Sequence, residues 1–272
     1  MRFGFVTCVQ LGLSCIEAVL EAGGRFDLLL TLPDHWAKSK SGRIYLDALS
    51  ERTGTPLVKV RHINDPASVE AIRSHGIDWL FIIGWSQIAD RNVLSVPTKG
   101  IIGAHPTLLP VGRGRAAIPW AILKGLDKTG VSFFRMDEGV DTGDIIGQLE
   151  IPLHEGITAT ELYRLVDEAH VRLIREIWPG LLDGSCTPRP QDESMATYWE
   201  GRTPADGALH PGMSVSEAER LVRATTRPYP GAFTMEEGRK MVIWSGLPGE
   251  HPGGRTIRFI DGAYTAMDYE MQ

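Results

Sequence analysis

Apolar positions follow two alternating rhythms along the first 105 residues. Short apolar runs at residues 2–7, 26–32, 56–60, 78–84 and 100–104 predict strands. The last two (DWLFIIG and GIIGA) are nearly unbroken, as expected of strands buried on both faces. Between the runs the period lengthens to that of a helix. Ile16, Val19 and Leu20 share a face, predicting a helix capped by Ser14 and stopped at Gly23-Gly24. Val69 and Ile72 do the same after Asp65-Pro66, an N-cap with proline at the first helical position. This alternation predicts an open, mostly parallel, Rossmann-like α/β sheet with helices on both faces. Ligands of such sheets bind at the carboxyl ends of the strands, so chemistry is expected after Thr7, Gly84 and Ala104.

Further on, residues 120–124 predict a short helix, and 130–136 and 144–153 two strands joined by an acidic, glycine-rich loop. Thr158-x-x-Glu161 is a capping box, predicting a helix to about Trp178 with Leu162, Leu165, Val166, Ala169 and Leu173 as its apolar stripe. From residue 185 the chain turns polar and proline-rich (CTPRPQDESMATYWEGRTPADG), the texture of a connection between domains. A second capping box predicts a helix from Ser214 to Thr225, and residues 240–244 a strand. The expected organisation is a catalytic-type domain over residues 1–200 and a small mixed α/β module over 201–272, an OB-like arrangement being one candidate for the latter.

Composition narrows the class. Hydrophobic residues make up 43% and charged residues 23%, too much of the former for a disordered chain. No apolar run approaches the roughly 20 residues of a membrane span, and MRFGFVTCVQLG lacks the features of a signal peptide, so a cytoplasmic protein without membrane contact is expected. Cys8, Cys15 and Cys186 form neither a disulfide framework nor a zinc knuckle. A net charge of −6 without a basic tract argues against broad nucleic-acid binding, leaving room for a local basic pocket.

Candidate chemistry centres on GAHPTLLPVGRGR. His105 follows a buried strand, and Asp141 lies in the acidic loop expected beside the same strand ends. A carboxylate that orients an imidazole and fixes its tautomer makes a general acid–base pair. Alone, His105 would read as a surface or capping residue; Asp137 and Asp144 read equally well as caps of turn amides. Arg113-Gly114-Arg115 suits a phosphate or diphosphate, or is only a turn. Residues 38–43 form a second basic cluster, either a solvated loop or a substrate lid. Trp85, Trp199 and Tyr229 could stack a nucleobase or simply pack.

HPTLLP, RGRAAIPWAILKG and TGVSFFRMDEGVDTGDIIGQ together resemble the N10-formyltetrahydrofolate-dependent formyltransferases, most strongly over residues 75–180. GRTPADG and LVRATTRPYPGAFT are similar to the C-terminal part of the nucleotide-linked amino-sugar N-formyltransferases. The resemblance implies His105 and Asp141 as catalytic residues and N10-formyltetrahydrofolate as formyl donor. It places the pterin against the loop Trp85, Ser86, Gln87, Ile88 and the loop beginning at Asp137, mostly through main chain. Thr107, Arg113, Gly114 and Arg115 are the candidates for binding a small nucleotide-sugar substrate. The product would feed O-antigen, capsule or flagellin-glycan assembly. A methionyl-tRNA formyltransferase-like enzyme, a formyl-folate hydrolase and a folate-binding protein are the alternatives. Apolar stretches in the C-terminal module are compatible with a homodimer, and no metal is expected. One departure stands out: the family's asparagine, two residues before the histidine, falls at Gly103. Gln87, Ser86 or a water above the glycine are the substitutes considered for its amide.

Overall fold

A computed structural model describes residues 1–36 and 42–272. The chain forms two compact units, one of residues 1–113, 130–150 and 166–197, the other of residues 114–129, 151–165 and 198–272.

The first unit is built on β1 (Phe3–Val6), β2 (Leu28–Thr31), β3 (Leu57–Lys59), β4 (Trp79–Ile82) and β5 (Gly100–His105). After β5 come β6 (Arg113–Gly114), β7 (Lys128–Arg135) and β8 (Ile145–Pro152). The helices up to residue 183, of which α5 and the first turns of α6 belong to the second unit, are α1 (Gln10–Glu21), α2 (Asp47–Thr53), α3 (Pro66–Ser74), α4 (Arg91–Leu94), α5 (Ala117–Leu123) and α6 (Ala159–Asp183). Seven strands make one sheet in the order β3-β2-β1-β4-β5-β7-β8. Pairing is parallel from β3 through β5 and antiparallel between β5 and β7. The order reverses between β1 and β4, so the loops after Val6 and Ile82 flank the crevice where such sheets take ligands. The two loops touch closely: a Cβ on Gly84, which has φ of 67°, would meet Val9 Cγ2 at 2.1 Å. Only glycine fits there.

The sheet is apolar on both faces. Phe3, Phe26 and Phe81 lie against Trp178 of α6 and Phe5 against Phe26 and Phe81, the closest pair being Phe3 and Trp178 at 4.3 Å between centroids. On the other side Val6, Leu28, Leu30, Leu80 and Ile101 pack with Ile72 and Val93.

Two helix boundaries differ from the sequence expectation. α1 begins at Gln10, not behind Ser14, whose hydroxyl instead donates to Asp167 Oδ2 at 3.0 Å. α6 runs past Trp178 and through Pro179 to Asp183, because Ile177, Trp178 and Leu181 continue its buried stripe. Packing here outweighs the intrinsic cost of an interior proline.

The second unit holds α5, the short strands β6 and β9 (Tyr198–Trp199), α7 (Val215–Thr225), and β10 (Ala232–Glu236), β11 (Arg239–Pro248), β12 (Arg255–Phe259) and β13 (Gly262–Met271). The last four make an antiparallel sheet in the order β10-β11-β13-β12. Leu221 and Val222 of α7 pack on Met241, Ile243 and Tyr264. The Ser214 capping box is complete: Ser214 Oγ accepts from Glu217 N at 3.2 Å, and Glu217 Oε2 accepts from Ser214 N at 2.8 Å. No helix among the described residues is long and apolar enough to cross a membrane.

Candidate active site

His105 is the last residue of β5, and its side chain is nearly buried. Nδ1 lies 3.5 Å from Asp141 Oδ2, and Nε2 lies 2.7 Å from the carbonyl oxygen of Gly112. The short contact must be a donation from Nε2–H, since a carbonyl only accepts. The neutral ring therefore keeps its proton on Nε2 and leaves Nδ1 as the basic nitrogen, beside the carboxylate. This corrects one expectation: Gly112, not Asp141, fixes the tautomer. Asp141 is placed to stabilise positive charge once Nδ1 takes a proton. Gly112 is itself held, its N–H donating to Thr197 Oγ1 at 2.8 Å.

Asp141 reaches His105 by an indirect route. Ile102 pairs with Arg135 and His105 with Ser132, so the segment after Arg135 leaves the sheet beside the amino end of β5. The loop must turn back along the sheet to meet the histidine at the carboxyl end. Three features shape the return. Asp137 Oδ1 accepts from Gly139 N at 3.0 Å and Thr142 Oγ1 at 2.6 Å. Asp141 sits in the left-handed region at φ 56°, a strained conformation for a residue with a side chain. Gly143 passes so near Arg135 that a Cβ would come within 1.7 Å of its carbonyl oxygen.

The remaining candidates separate into three groups. Thr107 stays beside His105; its carbonyl accepts from Ser132 Oγ at 2.7 Å, while its buried hydroxyl has no partner among the described residues. Arg113 is fully buried and committed to the protein. Its Nε and Nη2 donate to Gln191 Oε1 at 3.2 and 2.9 Å, and Nη1 and Nη2 to Glu193 at 2.9 and 2.6 Å. That guanidinium holds the Glu193 carboxyl below the usual range. With its donors spent this way, the expectation that Arg113 takes a phosphate gives way to a structural role. Gly114 lies in β6, and Arg115 is exposed in the second unit.

On the loop expected to face the pterin, Gln87 is tied into the scaffold. Nε2 donates to Arg61 O at 2.8 Å, while Oε1 accepts from Ile63 N at 2.8 Å and Trp85 Nε1 at 3.1 Å. These three bonds fix the orientation of the Gln87 amide and leave one of its two Nε2 hydrogens uncommitted. Ser86 is exposed. Ile88 is 73% exposed, and Val140 of the Asp137 loop is 51% exposed. Exposed apolar side chains on both loops suit a flat, largely apolar heterocycle. The space at Gly103 is already filled: a Cβ would meet Met136 Cγ and Phe134 Cζ, each at 3.0 Å. Trp199 is buried packing, and Tyr229 is half-buried, its ring 6.3 Å from that of Tyr163.

Of the basic cluster, residues 38–41 lie outside the described residues. Arg43 is bonded to Leu32 O at 2.7 Å, to Thr31 Oγ1 at 3.1 Å and to Ile44 O, which ties it to the end of β2. No group of metal-ligating side chains occurs among the described residues.

Sequence reasoning missed four contributors: Gly112, Gln191, Thr197 and His170. The first was read as part of a turn, and Gln191 and Thr197 as part of a linker. His170 is buried in α6, 5.5 Å from the Phe133 ring, its Nδ1 2.7 Å from Val166 O and its Nε2 without a hydrogen-bond partner among the described residues. Burial pushes it down to about 4, with the nearby His105 acting in the same direction.

A mostly parallel sheet with a histidine and a carboxylate at its carboxyl edge is the framework of an α/β enzyme. A family model described as Formyl transferase matches residues 31–177, more than half of the chain. The chain belongs to the formyl transferase family and is a formyl-transferring enzyme. The methionyl-tRNA formyltransferase of Lachnospira eligens is 29% identical over 246 residues, 90% of this chain and 78% of that protein. The N-formyltransferase of Helicobacter canadensis, solved with folinic acid and dTDP-3-aminofucose, has a similar fold, with a TM-score of 0.72 at 15% identity over 98% of each chain. HypX of Aquifex aeolicus, solved with tetrahydrofolic acid, gives 0.71 at 18% identity, across 100% of this chain and 44% of that one.

Proposed function

We propose that this enzyme formylates the amino group of a nucleotide-linked amino sugar, with His105 and Asp141 as its acid–base pair. The donor is N10-formyltetrahydrofolate, which supplies an activated formyl group. As the acceptor nitrogen bonds the formyl carbon, Nδ1 of His105 takes its proton and Asp141 stabilises the imidazolium; that proton passes to N10 as the carbon–N10 bond breaks and tetrahydrofolate leaves. Gly112 keeps Nε2 protonated throughout. The buried hydroxyl of Thr107, two residues past His105, is the group that would meet the acceptor. The loops carrying Ile88 and Val140 take the pterin. Products of this kind serve surface-glycan assembly.

The geometry of His105 between Asp141 and Gly112 carries the transfer reading. The choice of acceptor rests on charge: a tRNA needs an extended basic surface, and this chain carries −6. The identity to a methionyl-tRNA formyltransferase favours the tRNA reading instead. One assay separates them. Tetrahydrofolate release from N10-formyltetrahydrofolate is followed with UDP-, dTDP- and GDP-linked amino sugars, with methionyl-tRNA, and with no acceptor. Release that depends on an amino sugar supports the proposal, and release with methionyl-tRNA alone replaces it. Acceptor-independent release indicates a hydrolase, and no release a binding protein.

A further inference from the structure

We infer that Gln191 is a positioning residue for Asp141, and that Arg113 and Glu193 exist to hold Gln191 in that role. The inference rests on the His105–Asp141 reading above. The loop carrying Asp141 leaves the sheet at the wrong end and returns in a strained conformation, so something must hold it at the turn. The side-chain amide of Gln191 does so, 50 residues away in sequence. Nε2 donates to Asp141 O at 2.8 Å and to Gly143 O at 2.7 Å. Both amide hydrogens are thus used on the two carbonyls that bracket Thr142.

The other end of the amide is fixed as firmly. Gln191 Oε1 accepts from Nε and Nη2 of Arg113, which orients the amide and prevents it from flipping. Arg113 is itself clamped by Glu193 and by its backbone, whose N–H donates to Thr197 O at 2.9 Å. The order of contact is therefore Glu193 to Arg113, Arg113 to Gln191, and Gln191 to the Asp141 main chain. Gln191 acts on the main chain that carries the carboxylate. Its effect is on where the carboxylate sits, and a misplacement of about 1 Å at a reacting group can cost about a hundredfold in rate.

The telling variant is Gln191→Glu. It keeps the length of the side chain and gives Arg113 a better acceptor, but it removes both donors and sets an anion against two carbonyls. Two readouts are taken on the whole protein beside Asp141→Asn. The first is acceptor-independent: the NMR titration curve of the His105 Cε1–H signal, which reports the charge facing the ring. The second is formyl transfer from N10-formyltetrahydrofolate to the best amino sugar of the panel above, with kcat and donor KM separated. Expected are an unchanged melting temperature, a His105 curve displaced in the same direction as in Asp141→Asn, a kcat lower by about ten- to a hundredfold, and little change in donor KM. The double variant should be no slower than Asp141→Asn alone.

A His105 curve identical to wild type in Gln191→Glu but displaced in Asp141→Asn overturns the inference while leaving the catalytic pair intact. Additive losses in the double variant overturn it too, because the effect then bypasses Asp141. An Asp141→Asn enzyme as active as wild type defeats the catalytic reading itself. If Gln191→Glu does not fold, Gln191→Met, of similar length and without donors, is scored by the same outcomes.

Discussion

Nε2 of His105 lies 2.7 Å from the carbonyl oxygen of Gly112, and this contact decides which ring nitrogen can act as a base. The basic nitrogen is then Nδ1, 3.5 Å from Asp141. In the proposed mechanism both residues serve one proton transfer, so His105→Ala and Asp141→Asn should each lower single-turnover transfer by about a hundredfold or more. The double variant should be little worse than either, as members of one catalytic unit are non-additive. Either single variant keeping over half of wild-type turnover refutes the assignment.

Restoring the family asparagine should not help. A side chain at Gly103 would press on Met136 and Phe134 at 3.0 Å, so Gly103→Asn overpacks the region beside the histidine. The expected cost is about 1–3 kcal/mol, a fall in melting temperature of about 2–4 °C for each kcal/mol. Single-turnover transfer should be unchanged or slower. A tenfold acceleration would mean that the chain does lack an amide donor at this place.

Thr107 offers a cleaner separation of fold from function. Its hydroxyl is buried and has no hydrogen-bond partner among the described residues. Thr107→Val removes an unsatisfied polar atom at nearly constant shape, so stability should hold or rise by about 1 kcal/mol. If the hydroxyl meets the acceptor or the formyl oxygen, transfer should fall while the denaturant midpoint does not. Unchanged transfer would remove Thr107 from the site.

Acid stability should depend on His170. Its pKa is lowered from 6.5 to about 4 in the folded protein by burial. Between those values the unfolded chain binds more protons than the native one, so stability falls as pH falls. The contribution is fully present above about 6.5 and is lost toward 4, amounting to about 3 kcal/mol. Urea midpoints measured at about pH 7 and 4.5 should differ more in wild type than in His170→Gln, which cannot titrate there. Equal differences would show that His170 does not govern the acid limb.

Much of this protein is legible locally. Continuous apolar runs dictate the parallel strands because each is buried on both faces, and the end of one such run fixes His105 at the carboxyl edge. The Ser214 box likewise announces its helix through contacts within a single turn. Other features depend on partners distant in sequence. Ser14 looks like a cap but bonds Asp167, 153 residues away. Arg113 has the pattern of a phosphate ligand, yet Gln191 and Glu193, within a stretch that reads as linker, occupy its donors. The direction of β7 could not be read from its residues, because an apolar strand has the same alternation whichever way it runs. That direction sends the Asp141 loop away from the histidine, and only long-range hydrogen bonds to its backbone bring the carboxylate back. The sequence by itself determined which side chains could do the chemistry; the tertiary structure decided where Asp141 sits and which nitrogen of His105 is free to act, because both depend on main-chain carbonyls that carry no signature of their own.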